Sequence, residues 1–234
     1  MSGFDCVLFD FFGTLVDYNP SRKEQGYDRS HALFRRLGGT LDYDPFLHVW
    51  DELFCGFEAR SEADDSEFSM WDVSTALFSA TVGEAPPLAD VDEFVAVYLD
   101  EWNTGVSDID GLVAMLDEVG RAHRLVVVTN THAPDLVPAH LRRMGIDGAF
   151  DAVVTSVEVG WRKPHPAIYA AALERAGADP SRCVFVGDTL EADYVGPRSA
   201  GMAARLIDPT GRHAATVPAF DRLATILELT DTLR

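Results

Sequence analysis

Phe4-Asp-Cys-Val-Leu-Phe-Asp10-Phe-Phe-Gly13-Thr14 is an apolar run long enough for a buried strand and too short for a core helix, and it stops at an acid followed by a Gly-Thr turn. It predicts a strand that feeds a loop. Beyond Asp17 the pattern changes. Over residues 21–102 apolar side chains recur at three- and four-residue spacings: Leu33, Phe34 and Leu37, then Phe46, Val49, Trp50 and Phe54, and later Val91, Phe94, Val95, Tyr98, Leu99 and Trp102. This predicts an insert of several short helices.

After Asp108 strand and helix patterns alternate. Residues 112–119 read as an amphipathic helix closed by Gly120, and 125–129 as a buried strand. There follow a strand over 149–155, a helix over 166–176, a strand over 183–187, a helix to about residue 200, a strand over 203–207 and a last helix over 219–229. Repeated strand-helix units imply parallel pairing with right-handed crossovers. The expected fold class is therefore α/β, a Rossmann-like parallel sheet flanked by helices. The core is expected over residues 1–17 and 104–234, split by an all-helical domain over 18–103, with Asp17 at the hinge.

The 234 residues carry 38 acidic against 19 basic groups, a formal net charge of -19. That balance argues against nucleic acid and anionic membrane surfaces as partners. Only Lys23 and Lys163 are lysines, the other 17 basic residues are arginines, and 25 Asp outnumber 13 Glu. The pattern resembles adaptation to brine, where repulsion is screened within about 3 Å at 1 M salt. No run of about 18 apolar residues and no secretory signal is visible, so the expected location is the cytoplasm. Cys6, Cys55 and Cys183 are odd in number and widely spaced, and read as reduced structural residues.

In open α/β sheets ligands bind beyond the carboxyl ends of the strands. Asp10, Thr129 and Asp188 each stand at or just past such an end, Asn130 and Asp193 follow closely, and Lys163 lies in the loop after another. Asp10 is a candidate nucleophile, since a positioned carboxylate forms a covalent intermediate that water later opens. The Thr129 hydroxyl and the backbone N–H groups after it suit an anion's oxygens, with Asn130 assisting. A lysine retained at 163, in a chain that otherwise uses arginine, points to a need for a compact ammonium. Asp188 and Asp193, five apart, are paired carboxylates, and where such groups converge hard oxygen donors suit Mg²⁺. His123, His132, His140 and His165 show no metal-ligand spacing and read as surface or loop residues. Arg22, Arg29, Arg35 and Arg36 in the insert are further candidates for an anionic substrate, though each reads more simply as part of a solvated helix face.

Asp10-Phe-Phe-Gly-Thr14, Thr129-Asn130, Lys163-Pro164 and Gly187-Asp188 with Asp193 together resemble, in order and spacing, the four motifs of the haloacid dehalogenase superfamily of hydrolases. The resemblance implies a helical cap inserted after the first motif. It also implies Asp10 as nucleophile, Thr129 on the substrate's phosphoryl or carboxylate group and Lys163 as the neutralising cation. Mg²⁺ would be held by Asp10, Asp188 and the backbone carbonyl of Phe12, with Asp193 in or next to the ligand set. The implied substrate is a small anionic organic molecule; nothing in the sequence speaks to oligomeric state.

At Phe12 the chain departs from the superfamily's phosphatases, which carry there a second Asp as general acid and base. A ring can do neither. An aromatic at that position, a Tyr, is what the 2-haloacid dehalogenases carry, and halide leaves without needing a proton. Those enzymes use no metal, however, and replace the residue at 188 by a small polar one. Three readings follow: a Mg²⁺-dependent hydrolase of a small phosphate ester, a metal-free 2-haloacid dehalogenase, and a catalytically weak module that binds phosphate and metal.

Overall fold

The computed structural model describes residues 3–18, 25–83 and 86–233. The chain forms two compact units, Met1–Asp17 with Asp108–Arg234, and Tyr18–Ser107. Among the described residues no helix is long and apolar enough to cross a membrane.

Among the described residues the strands are β1 (Cys6–Phe9), β2 (Val16–Tyr18), β3 (Val106–Asp108), β4 (Arg124–Thr129), β5 (Ala152–Thr155), β6 (Cys183–Gly187), β7 (Ala203–Ile207) and β8 (Arg222–Leu223). Six of them form a sheet in the order β5-β4-β1-β6-β7-β8, every neighbouring pair parallel, and β2 pairs with β3. β1 is central because it is short and wholly apolar: all four of its residues are buried, as a strand covered on both faces requires. Its alternate side chains Cys6 and Leu8 pack with Val126, Val128, Val154 and Phe185 against Ile168, Tyr169, Ala172 and Ala176 of the helix Pro166–Ala176. Each fully buried Val, Leu, Ile or Phe among them contributes about 1.5–3 kcal/mol. Cys6 stands opposite Cys183 in the sheet, and all three cysteines are free thiols.

The other unit holds α1 (Asp28–Arg36), α2 (Tyr43–Asp64), α3 (Met70–Thr81) and α4 (Leu88–Trp102). Trp50, Phe34, Phe46, Phe78, Phe94 and Tyr98 form its core, with ring centroids 4.4–6.4 Å apart. Two of its helix starts are held by side chains. Ser69 and Asp72 cap α3 reciprocally, side chain to backbone N–H in both directions. The first turn of α1 has no cap of its own. Glu101, from α4, accepts the N–H groups of Arg29 at 2.7 Å and Ser30 at 2.9 Å instead.

One expectation fails and another is met in an unusual form. Residues 219–229 are not a helix: 3₁₀ turns at Ala219–Asp221 and Ile226–Glu228 flank β8, and only Leu229–Thr232 is α-helical. The segment extends the sheet, with Arg222 and Leu223 pairing to Leu206 and Ile207. Residues 188–200 are helical, but as a π-helix over Leu190–Val195 before a single α-turn, Gly196–Ser199. Tyr169 Oη donates to the Ala192 carbonyl at 2.6 Å within that π-helix, and a Cβ at Gly196 would fall 2.2 Å from the same hydroxyl. Wide helical turns of this kind are frequent at functional sites.

Candidate active site

Asp10 follows β1 directly, and its N–H still reaches the sheet, donating to Val186 O at 2.9 Å. The chain then folds tightly. The N–H groups of Thr14, Leu15 and Val16 all turn back to Phe11 O, and Gly13 adopts φ +81°, a conformation that favours glycine. Glycine is required there for a second reason: a Cβ at Gly13 would lie 2.5 Å from Asp188 Oδ2. Parallel pairing of β1 with β6 brings Asp10 and Asp188 side by side, and the wide turn after β6 returns Asp193 to the same place. One carboxylate oxygen from each of Asp10, Asp188 and Asp193 lies within 4.8 Å of the others.

Lys163 closes the cluster. Its Nζ donates to Asp10 Oδ1 and to Asp193 Oδ1, each at 2.7 Å, with the lysine side chain only 2% exposed. The ammonium also stands 5.1 Å above the Phe185 ring. The second oxygen of Asp10 accepts from the Thr14 hydroxyl at 3.3 Å, and the second of Asp193 from the Thr189 N–H at 2.9 Å. Asp193 is thus committed on both oxygens. Asp188 accepts from its neighbour's hydroxyl, Thr189 Oγ1, at 3.2 Å. A cavity of about 260 Å³ adjoins Asp188 and is also lined by Arg212 and Thr225.

The charges do not balance. Burial, then the charge of Asp10, raises the Asp188 carboxyl above its ordinary pKa. Burial pushes Asp193 up to about 7 against the pull of Lys163, and Asp10 adds to the rise. Burial also works against the Lys163 charge, but Asp10 and Asp193 outweigh it and hold the ammonium above the usual lysine range. Three carboxylates face one ammonium, and each like-charged contact at about 4 Å costs roughly 4 kcal/mol at an effective dielectric of 20. A divalent cation removes that excess, and an all-oxygen donor set is the kind that Mg²⁺ accepts.

Thr129 ends β4 and is 1% exposed. The Asn130 carboxamide pairs with the Lys163 backbone: its Nδ2 donates to Lys163 O at 3.0 Å, and its Oδ1 accepts the Lys163 N–H at 2.7 Å. The next residue is tied down as well, Thr131 N–H donating to Ser156 Oγ at 2.9 Å. Phe12 is half-buried, edge-on to Phe11 at 4.9 Å and to His140 at 6.2 Å. His140 is therefore buried, at 4% exposure, and not a surface residue; burial and then Arg143 lower its pKa. His123 bonds to Phe4 O, and His165 stacks on Trp161 and accepts the Ala167 N–H.

Of the arginines in the helical unit, Arg29 pairs with Asp100 and Arg36 with Glu93, while Arg35 donates to Leu41 O at 3.4 Å. Arg22 and Lys23 lie outside the described residues. Sequence reasoning missed Thr189, and it named Thr14 and Gly187 as motif residues without a role; a Cβ at Gly187 would meet Asp193 Cγ at 2.4 Å. A glycine at the tip of an apolar strand was the available signal for the last.

The family model for haloacid dehalogenase-like hydrolases matches residues 4–201. A ribulose-1,5-bisphosphate 5-phosphatase of Halopiger xanaduensis is 28% identical over 229 residues, 94% of this chain and 91% of that protein. The pyrophosphatase PpaX of Bacillus velezensis is 29% identical over 232 residues, 97% and 94% of the two chains. In structure, a 2-haloacid dehalogenase of Pseudomonas syringae pv. Tomato superposes with a TM-score of 0.71 at 22% identity, covering 98% of each chain.

Proposed function

The chain belongs to the haloacid dehalogenase-like hydrolase family, and from that premise we propose that it hydrolyses a small phosphate ester, with Asp10 as nucleophile. The observation that carries the reading is the clustering of three carboxylates, Asp10, Asp188 and Asp193, beside one buried ammonium that pairs with Asp10 and Asp193 alone among them. A metal-free site has no use for the excess negative charge, whereas phosphoryl transfer with Mg²⁺ does. Asp10, Asp188 and the Phe12 carbonyl would hold the ion, which supplies Lewis-acid neutralisation of the phosphoryl oxygens when bound.

The residues divide the work. Lys163 holds Asp10 Oδ1, so Oδ2, with one long hydrogen bond from Thr14, is the freer oxygen to attack phosphorus. The phosphorus–oxygen ester bond breaks as the aspartyl bond forms, and the leaving oxygen keeps the electron pair. Water then attacks the aspartyl phosphate, releasing inorganic phosphate and restoring Asp10. Thr129 and the Asn130 N–H receive the phosphoryl oxygens, the Thr131 N–H being held by Ser156. Phe12 has no proton to give, so a leaving group that needs none is turned over best; an acid there would be worth about 10²- to 10⁴-fold. Residues 18–103 act as the cap that selects the substrate, on a core of residues 1–17 and 104–234, and the enzyme works on a dissolved cytoplasmic metabolite.

Phe12 alone favours a second reading, hydrolysis of a 2-haloacid, in which halide departs unprotonated. One assay decides between them: phosphate release from a panel of phosphorylated metabolites with Mg²⁺ and with chelator, and halide release from 2-chloropropionate without metal. Phosphate release that the chelator abolishes supports the proposal. Metal-free halide release without phosphate release replaces it with the second reading.

A further inference from the structure

Lys163 sits in the loop between the short helix Ser156–Val159 and the helix Pro166–Ala176, so no sheet or helix ladder fixes its backbone. Yet its ammonium must fall between Asp10 and Asp193 within a few tenths of an ångström, since both contacts are 2.7 Å. The side chain is long and its anchor is a loop.

We propose that Asn130 is the positioning residue for Lys163, its carboxamide pairing with the Lys163 backbone as a neighbouring strand would. Two bonds in opposite directions, Nδ2 to Lys163 O at 3.0 Å and Lys163 N–H to Oδ1 at 2.7 Å, fix the Lys163 peptide groups in both translation and rotation. Asn130 is itself rigid, because it lies between Thr129, which closes the β4 ladder opposite Thr155, and Thr131, whose N–H is held by Ser156. The anion-binding end of β4 and the cation of the Lys163 loop are thereby locked to each other across 33 residues of sequence. Only an amide side chain offers both a donor and an acceptor in this geometry; an aspartate keeps the acceptor and loses the donor. Asn130 need not touch substrate for its loss to slow turnover.

This inference rests on the reading that Lys163 steadies the Asp10 nucleophile. The test compares Asn130→Ala and the near-isosteric Asn130→Asp with the intact chain in phosphate-release kinetics with Mg²⁺, inhibition by inorganic phosphate, and amide hydrogen exchange of the segment around Lys163. In Asn130→Ala, kcat falls by about 10²-fold, the scale of a small misplacement of a reacting group. KM and phosphate inhibition stay within about twofold, because ground-state binding is untouched. The Lys163 amide exchanges faster, while β4 and β6 stay protected. Asn130→Asp, retaining one of the two bonds, falls between. A raised KM with unchanged kcat overturns the proposal in favour of direct substrate contact, as does wild-type exchange at Lys163. If the intact chain releases no phosphate, the proposed reaction fails, and the exchange comparison still decides the clamp by itself.

Discussion

The Lys163 ammonium lies 2.7 Å from Asp10 Oδ1, with both side chains at least nine-tenths buried. A charge so enclosed is stabilised only by its partners, and Asp193 supplies the second at the same distance. Lys163→Met should therefore lower the unfolding free energy by about 3–5 kcal/mol in metal-free buffer, the cost of leaving buried charge unpaired. Urea denaturation reads it. A loss under about 1 kcal/mol would mean that the pair contributes as little as an exposed one.

Gly13→Ala puts a methyl group 2.5 Å from Asp188 Oδ2 and also strains a backbone at φ +81°. Displacement of a ligand's surroundings typically lowers metal affinity about 10- to 100-fold, and a Mg²⁺ titration of the variant should show that drop. Gly145→Ala is the control. It shares a positive φ of 70° but has nothing within 4 Å of the added carbon, so it carries the backbone strain without the clash. Equal Mg²⁺ affinity in Gly13→Ala and the intact chain would remove Asp188 from the ligand set.

Asp221 anchors the turn that carries Asp193. Its carboxylate, 2% exposed, accepts from Tyr194 Oη at 2.9 Å and Arg205 Nη1 at 2.7 Å. Burial, then that hydrogen bond, raises the Tyr194 hydroxyl above its ordinary pKa. Asp221→Ala leaves Arg205 without its carboxylate, when its Nε already has no hydrogen-bond partner among the described residues, and should cost about 3–5 kcal/mol. Asp100→Ala breaks a pair whose members are 60% and 65% exposed, and should cost at most about 1 kcal/mol. Chemical denaturation of the two variants side by side tests the contrast.

A net charge of -19 repels itself in dilute buffer and is screened in brine. The melting temperature should rise from low salt to 1 M sodium chloride. A flat response would show that the acidic composition is not a salt adaptation.

The strand tips were legible in sequence because each is announced by a run of four or five apolar residues ending at a polar one: Phe9 before Asp10, Val128 before Thr129, Gly187 before Asp188. The lysine was legible by its rarity, and it proves to stand where a single compact ammonium meets two carboxylates. What escaped depends on partners distant in the chain. Phe220, Leu223 and Leu227 imitate a helical stripe, but Arg222 and Leu223 take the free edge of β7 and the Arg205 guanidinium holds Asp221, so sheet pairing overrides local period. The Glu101 cap on α1 and the Asn130 brace on Lys163 are side-chain-to-backbone bonds 71–72 and 33 residues apart, with no periodic trace. His140 looked peripheral because the aromatic pair it packs against, Phe11 and Phe12, belongs to the first loop.

The most direct test is to trap the aspartyl intermediate. The protein is mixed briefly with a phosphate donor that it hydrolyses, quenched in acid, and its peptides are weighed. The account predicts one added phosphoryl group on the peptide containing Asp10, absent from Asp10→Asn, whose turnover falls by about 10³-fold or more. Phosphate release by Asp10→Asn at the rate of the intact chain, with no adduct on either protein, would contradict it.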